Sequence, residues 1–246
     1  MSGSYAGRRR MNPDKIADHL ASGSQMPLAR ALVERHSCRA FRQELVERPI
    51  LEAIFSMAQG AASWCNAQPW QATIASGNAV ERLRAALLRA VDEGAEVNRD
   101  LPFPKDYRGV YLDRRRECGF QLYESVGVSR GDKAGYARQA RENFRFFGAP
   151  QVAALTTDAD LGVYGAVDVG GYVQVLLLAM QAHGIATIAQ AAPANYSDVV
   201  KSALGIDPER RLVCCVAFGY EDAEGPANRF RTRRAALSDV VAWIDD

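Results

Sequence analysis

Three short segments of the sequence carry residue types that could together bind an anionic, planar ligand. The first reads Arg-His-Ser-Cys-Arg and supplies the candidates Arg35, His36, Ser37 and Arg39. Guanidinium groups match the geometry of phosphate oxygens, and a serine hydroxyl adds a directed donor. Cations also collect at helix C-termini, where the helix dipole favours them, and that explanation is the commoner one for such a segment alone. A phosphate-binding interpretation therefore needs support from elsewhere in the chain.

The second segment, residues 61–70, reads Ala-Ala-Ser-Trp-Cys-Asn-Ala-Gln-Pro-Trp. Its candidate binding residues are Ser63, Trp64, Asn66 and Gln68. Aromatic side chains could form the wall of a site for a heteroaromatic ring, and amides could read the polar edge of that ring. The alternative is an ordinary proline-containing connection between a helix and a strand.

The third segment, residues 228–234, reads Asn-Arg-Phe-Arg-Thr-Arg-Arg. In an extended segment alternate side chains lie on the same side, so Arg231 and Arg233 are expected to project together. A solvated basic patch is the competing interpretation, and it is favoured if the segment acts alone.

Composition and missing motifs exclude several other functions. Thirty basic and 29 acidic residues leave a net charge of +1, which argues against nucleic-acid binding. Five irregularly spaced cysteines suggest reduced thiols in a cytoplasmic protein, and the three histidines are too scattered to predict a metal site. The longest apolar run, about residues 170–180, is too short to span a membrane. Neither a dinucleotide-binding fingerprint nor a P-loop is present.

The elements that must position these segments predict one α+β domain. Residues 1–25 are rich in Gly, Ser and Arg and are expected to form a flexible tail, and residues 26–246 to form the domain. Hydrophobic periodicity and flanking signals predict helices beginning near Leu28, Pro49 and Asn78, with Asn78 as a helix cap, and irregular structure over 93–107.

The rest of the chain continues this helix-rich pattern. Further helices are predicted over 108–126, 132–146, 167–183, 196–204 and 237–244. Strands are predicted over 70–75, 152–156, 185–188 and 212–218. The 167–183 helix has no polar face, so it is expected to be buried in a core or between subunits.

The order and separation of the three segments resemble those of the nitroreductase family of FMN enzymes. Arg35 to Arg39 are similar to the family's Arg-x-Ser-x-Arg/Lys segment, and Arg231 with Arg233 to its C-terminal Lys/Arg-x-Arg segment. Residues 62–70 resemble its Pro-Ser-x-x-Asn-x-Gln-Pro-Trp segment, although Ala62 replaces the proline and Trp64 is unusually bulky. Residues 186–192 resemble the stretch beside the flavin, which makes Gln190, Ala191 and Ala192 candidates.

This resemblance implies a central, mostly antiparallel mixed sheet surrounded by helices, in an intertwined homodimer. It implies that the two arginine segments bind the phosphate and ribityl chain of FMN. The 62–70 segment would reach the flavin of the partner subunit, and backbone N–H groups of Ala191 and Ala192 would approach flavin N5. The expected activity is ping-pong transfer of electrons from NADH or NADPH to small electron-poor acceptors such as nitroaromatics or quinones, without a catalytic side chain or a metal.

Other functions remain open at the level of sequence. A relative with the same fold could reduce enones, dehalogenate aromatics or cleave flavin. A flavin-binding module without turnover would carry the same phosphate-binding residues. The sequence does not separate NADH from NADPH.

Overall fold

The structure is a computed structural model, and it describes residues 26–245 of the chain. The predicted tail, residues 1–25, lies outside this range. Seven α-helices and four strands lie within residues 26–245. The helices are α1 (Leu28–Glu34), α2 (Arg48–Ala58), α3 (Asn78–Asp92), α4 (Gly109–Ser125), α5 (Lys133–Arg141), α6 (Gly162–Ala182) and α7 (Ser197–Leu204). The strands are β1 (Gln71–Ser76), β2 (Gln151–Thr157), β3 (Ala186–Gln190) and β4 (Arg211–Gly219).

The four strands form one sheet in the order β1-β2-β4-β3, and every pairing between strands is antiparallel. The only parallel contact in the described chain is an isolated bridge between Ser37 and Thr187. This bridge sets the first candidate segment against the outer edge of β3. The α+β class and the mainly antiparallel sheet predicted from the sequence are confirmed.

Helices cover both faces of the sheet, because the central strands are apolar on both sides. In β2, Val152 and Ala154 face one core, which α3 and α7 cover, whereas Ala153 and Leu155 face the other, which α2 and α6 cover. Successive side chains of a strand point to opposite faces, so a strand buried on both sides must be apolar throughout. The two cores hold the sheet rigid, and β3 carries part of the candidate site.

Three local predictions are wrong. Asn78 is the first helical residue rather than a cap, and Gly77 occupies the cap position with φ +54°. The helix predicted over 132–146 ends at Arg141 and is followed by turns, and it could not reach residue 146 because Phe146 and Phe147 adopt left-handed backbone conformations. In place of the helix over 237–244 there is a single 3₁₀ turn, Leu237–Asp239. Trp243 in that region is 78% exposed, so residues 26–245 offer no surface against which such a helix could pack.

The apolar helix α6 begins five residues earlier than predicted. The segment Ala159–Ala182 is long and apolar enough, by length and composition, to cross a membrane, contrary to the expectation drawn from residues 170–180. Val169, Tyr172 and Leu176 are nevertheless buried against the sheet. Near the N-terminal end, Val163 and Val167 are exposed, Val167 by 61%. Helix α6 is therefore a core helix that leaves one apolar face uncovered in the isolated chain.

Candidate functional site

The two arginine segments meet because a buried asparagine joins them. The side-chain oxygen of Asn228 accepts a hydrogen bond from the backbone N–H of Arg39 at 2.6 Å. Its amide nitrogen donates to the carbonyl oxygens of Ala40 and Asp222, both at 3.0 Å. Asn228 is only 3% exposed. Both polar atoms of its side chain serve to hold residues 39–40 against the chain that follows β4.

Backbone contacts reinforce this junction. The N–H of Arg42 donates to the carbonyl of Tyr220 at 2.9 Å, and the N–H of Asp222 donates to the carbonyl of Ala40 at 3.0 Å. Gly225 makes the approach possible, because a Cβ at this position would lie 2.3 Å from the Cβ of Ala40. The requirement at Gly225 is therefore steric, since its φ of −59° suits any residue.

A cavity of about 940 Å³ lies where the two segments meet. All four predicted residues of the first segment and Arg231 of the third line it. Sequence reasoning did not select several further lining residues, among them Cys118, Gln181, Glu221, Phe230, Thr232 and Arg234. Cys118 and Gln181 come from α4 and α6, far from any segment with a recognisable motif, so no sequence signal identifies them.

Four arginines line this cavity without a carboxylate partner among residues 26–245. They are Arg35, Arg39, Arg231 and Arg234. The two glutamates in the lining contact other residues: Glu34 pairs with Arg30 at 2.6 Å, and Glu221 contacts Nε2 of His36, which also lines the cavity, at 3.1 Å. Burial, and then the charge of Arg234, lower the pKa of the Arg35 guanidinium. An anion placed beside Arg35 would offset both its burial and its repulsion with Arg234.

Arg39 lies deepest among these cations. Its guanidinium carbon is 5.8 Å from the ring centre of Phe147 and 5.6 Å from that of Phe230. Burial lowers the pKa of Arg39, which still leaves it charged at neutral pH. The neighbouring thiol of Cys38 is buried and donates to the carbonyl of Ala40 at 3.1 Å. Burial raises the pKa of Cys38 to about 12, so Cys38 is a packing residue rather than a nucleophile.

Strand β3 lies beside the first segment. Cys38 donates its N–H to the carbonyl of Thr187 at 2.9 Å, and the bridge between Ser37 and Thr187 is parallel, so the segment runs in the same direction as β3. Gln190, at the C-terminal end of β3, is buried and donates from Nε2 to the carbonyl of Asn143 at 2.9 Å. The Oε1 of Gln190 has no hydrogen-bond partner in the described chain. Ala191 is exposed, and Ala192 begins a 3₁₀ helix, so its N–H has no partner within that helix.

Arg233 does not project with Arg231 into the cavity. Its guanidinium is exposed and donates to Glu117 of α4 at 2.7 Å. Residues 229–236 do not form a strand, so the alternation assumed from the sequence does not hold. Arg234, one position later, lines the cavity instead.

The second segment lies away from this cavity. Trp64 contacts Tyr164 at the N-terminal end of α6, with ring centres 4.3 Å apart, whereas Gln181 at the other end of α6 lines the cavity. Seventeen residues of helix separate these two contacts, which is about 25 Å at 1.5 Å per residue. Ser63, Asn66 and Gln68 therefore cannot contact a ligand that is bound among the arginines of the same chain unless that ligand spans the length of α6.

Metal chemistry has no support in the described part of the chain. Residues 26–245 contain no group of three or more His, Cys, Asp or Glu side chains placed to hold an ion. The chemistry that the cavity itself supports is binding of a polyanionic group, with the exposed backbone at the end of β3 available to contact the rest of the ligand.

Comparison with known proteins agrees with this geometry. The protein-family model described as "Nitroreductase family" matches residues 32–220 of this chain. Nitroreductase NfnB of Mycolicibacterium smegmatis is 37% identical over 229 residues, which is 91% of this chain and 97% of that protein. A 4-nitrobenzoate reductase of Nocardioides is 29% identical over 241 residues, covering 95% of this chain and 98% of that protein.

The fold agrees as well. The crystal structure of FMN-dependent nitroreductase NfnB from Mycobacterium smegmatis, in complex with NADPH, superposes with a TM-score of 0.84 at 36% identity. The superposition covers 89% of this chain and 98% of that one. With a family model matching most of its length and a relative this similar, the chain belongs to the nitroreductase family.

Proposed function

We propose that this protein is an FMN-dependent oxidoreductase that passes electrons from NADPH or NADH to electron-poor acceptors such as nitroaromatics by a ping-pong mechanism. The observation that carries this proposal is the convergence of four arginines that have no carboxylate partner in residues 26–245. The similar NfnB is FMN-dependent and was crystallised with NADPH, and a second relative is a 4-nitrobenzoate reductase.

The residues present fit FMN. Its phosphate carries about two negative charges near neutral pH. Arg35, Arg39, Arg231 and Arg234 offer more than enough positive charge, and Ser37 adds a hydroxyl donor at the same cavity. We assign the phosphate and ribityl chain to these five residues. Arg233, which contacts Glu117, is not part of this assignment.

The protein's task in this reaction is to bind FMN, to orient it and to polarise its ring. When bound, FMN supplies the hydride and electron chemistry. The cationic side chains of the cavity would hold the phosphate and so fix the position of the flavin. The backbone N–H groups of Ala191 and Ala192, at the end of β3, are available as donors to the ring, where they would stabilise negative charge on its reduced form. No side chain of the cavity is required to transfer a proton.

We further propose that the active form is an intertwined homodimer in which each site uses both chains. The second segment lies about 25 Å from the arginine cavity of its own chain, along α6. Around Val163 and Val167, α6 leaves an apolar face exposed, and the outer edge of β1 has no neighbouring strand in residues 26–245. A second copy covering these surfaces would bring its own Ser63, Asn66 and Gln68 near the flavin. Burial of the apolar face of α6 by this second copy fits a soluble, cytoplasmic protein.

Two measurements test this function. The purified protein should be yellow, and anaerobic NADPH or NADH should bleach its flavin within the time of one turnover. Nitrobenzoate added to the reduced enzyme should then restore the oxidised spectrum. A protein that neither contains FMN nor binds added FMN would contradict the proposal, and a flavin that nicotinamide nucleotides do not reduce would indicate a binding module instead. A panel of quinones, enones and halophenols separates the related reductive reactions.

A further inference from the structure

One carboxylate in the irregular loop between α3 and α4 is buried, although the function described so far gives it no role. Residues 93–97 and 104–108 of this loop are exposed, whereas the side chain of Asp100 is only 7% exposed. Its Oδ1 lies 3.2 Å from the ammonium nitrogen of Lys201, whose side chain is 6% exposed. The cost of removing two charges from water offsets most of their attraction, so the elements that this pair joins indicate its role better than its energy does.

Asp100 joins its loop to α7 and β4. The hydroxyl of Ser197, the first residue of α7, donates to Oδ2 of Asp100, and so does the backbone N–H of Leu212 in β4, at 2.7 Å. Lys201, one turn further along α7, donates to Oδ1 and also to the carbonyl of Pro208 at 3.1 Å. All three donors to Asp100 belong to buried residues, so the start of α7 is fixed firmly against the loop.

The two residues before Asp100 bind the segment that leads into α7. The N–H of Asn98 donates to the carbonyl of Asn195 at 2.9 Å, and Nε of Arg99 donates to Oδ1 of the same asparagine at 2.5 Å. Asn195 belongs to the 3₁₀ helix Ala192–Tyr196, which connects β3 to α7. The loop therefore holds this connection at the end where it enters α7.

The other end of the same connection carries the backbone donors that we assign to the flavin ring. At 2.0 Å per residue, about 10 Å of 3₁₀ helix separate Ala192 from Ser197. A piece this short, with the poor hydrogen-bond geometry of a 3₁₀ helix, depends on the elements at its two ends for its direction. Strand β3 fixes one end, and Asp100 with Ser197 fixes the other. A shift at Ser197 would turn the N–H groups of Ala191 and Ala192 relative to the ring.

We propose that Asp100 is a positioning residue for the flavin, which acts through Ser197 and the connection 191–196 to aim the N–H groups of Ala191 and Ala192 at the ring. The inference rests on the proposed function. Reduced flavin carries more negative charge than oxidised flavin, so N–H groups that are aimed correctly stabilise the reduced form more. Asp100 thereby sets the affinity for reduced FMN relative to that for oxidised FMN, without being a ligand of the flavin.

The test measures the reduction potential of FMN in the holoenzyme by anaerobic dithionite titration against a reference dye. In Asp100→Ala, the ratio of the affinity for reduced FMN to that for oxidised FMN should fall about 10-fold, which lowers the two-electron potential by about 30 mV. Asp100→Asn keeps an acceptor for Leu212 or Ser197 and should retain most of the potential. Ser197→Ala leaves the ion pair in place and should lower the potential in the same direction by a smaller amount.

A matched variant separates positioning from a general loss of stability. Gln151 is buried, and its side chain binds the N–H and the carbonyl of Val46 at 2.8 and 3.2 Å. It pairs with Phe218, six residues along β4 from Leu212, which is about 20 Å. Gln151→Met should therefore lower the free energy of unfolding in urea, as Asp100→Ala does, while the flavin keeps the wild-type potential.

An unchanged potential in Ser197→Ala and in Asp100→Ala would overturn the proposal, and Ser197→Ala decides alone if Asp100→Ala does not fold. An equal shift in Gln151→Met would also overturn it, because the potential would then follow stability and not the connection to α7. A failure of the proposed function looks different. It would appear in the wild type as a protein without FMN, or with FMN that dithionite reduces and nicotinamide nucleotides do not.

Discussion

The side-chain oxygen of Asn228 lies 2.6 Å from the backbone nitrogen of Arg39, and this hydrogen bond joins parts of the chain that are 189 residues apart. The same amide also donates to Ala40 and Asp222. Because Asn228 is buried, its three contacts have no water to replace them. One uncharged side chain, which is not among the proposed FMN contacts, therefore helps the backbone hydrogen bonds to hold the arginine segments together.

Replacing Asn228 with alanine should weaken both the fold and cofactor binding. The backbone N–H of Arg39 would lose its partner, which costs about 1–3 kcal/mol for an unsatisfied group, whereas the carbonyl of Ala40 keeps its bond from the N–H of Asp222. We expect the free energy of unfolding of the apoprotein to fall by roughly 1–3 kcal/mol, measured by urea denaturation. Gln43→Ala, which removes an exposed contact to Gly148, is the control and should change stability little. Equal stability of the two variants would contradict the role assigned to Asn228.

The arginines should differ in their effect on FMN affinity according to whether they line the cavity. Arg39→Ala and Arg231→Ala should each weaken FMN binding by roughly 1.5–3 kcal/mol, the range for a hydrogen bond to a charged group. Arg234→Ala should act in the same direction, whereas Arg233→Ala is the matched control and should bind FMN like the wild type. Titration of the apoproteins with FMN measures this.

Riboflavin provides the second arm of the arginine experiment. It lacks the phosphate, so Arg35→Ala and Arg234→Ala should weaken riboflavin binding much less than FMN binding. Equal losses for both ligands would place these side chains away from the phosphate, and a larger loss in Arg233→Ala than in Arg234→Ala would reverse our assignment.

Gly225 should not tolerate a side chain. Gly225→Ala would place a Cβ 2.3 Å from that of Ala40, so the two segments would have to separate. We expect destabilisation of about 1–3 kcal/mol, and partial recovery in the double variant Ala40→Gly/Gly225→Ala, because the overlap is then removed. Gly119→Ala in α4, where the nearest atom is 3.8 Å away, should instead be neutral or stabilising. Thermal unfolding of the four proteins distinguishes these outcomes.

A charge on the exposed face of α6 should separate the subunits and release the flavin. Val167→Glu places a carboxylate on a surface that we propose to be buried between two chains, and burying an unpaired charge is strongly unfavourable. Sedimentation velocity should show a monomer, and the absorbance at the flavin band should fall with it. Leu45→Glu adds the same charge elsewhere and should remain a yellow dimer. A monomeric Val167→Glu protein with full FMN content would show that one chain suffices for the site.

Stability should decline at alkaline pH, because buried thiols resist ionisation. Burial raises the pKa of Cys38 and of Cys214 to about 12, from the 9.0 of a free thiol. Below pH 9 both folded and unfolded states keep these protons, so their contribution is constant. Between about pH 9 and 12 the unfolded thiols ionise and the folded ones do not, so the unfolded state gains up to about 1.4 kcal/mol per thiol and pH unit.

Urea denaturation at pH 8, 9 and 10 measures this decline. Cys38→Ala should reduce the slope of stability against pH, whereas Cys65→Ala should not, since Cys65 is exposed. A slope that is the same in both variants would show that other groups cause the alkaline loss.

The arrangement of the core could be read from the sequence because it depends on local periodicity. Strands β1 to β4 and the main helices were predicted within a few residues, and the joint order of three polar segments indicated the family. The prediction of a C-terminal helix is wrong, because an apolar periodicity is present at Val240 and Ile244 but no surface within residues 26–245 covers it. A periodic pattern shows that a face can be buried, not that something is there to bury it.

Residue types along the chain indicate which segments could bind a phosphate and which elements could carry them. The folded chain was needed to show that Arg234 and not Arg233 enters the cavity, that Asn228 joins the two segments, and that Trp64 lies at the far end of α6 from its own chain's arginines. Outside regular helices and strands, the direction of a side chain is set by contacts between distant parts of the chain. Those contacts have no periodic signature along the sequence.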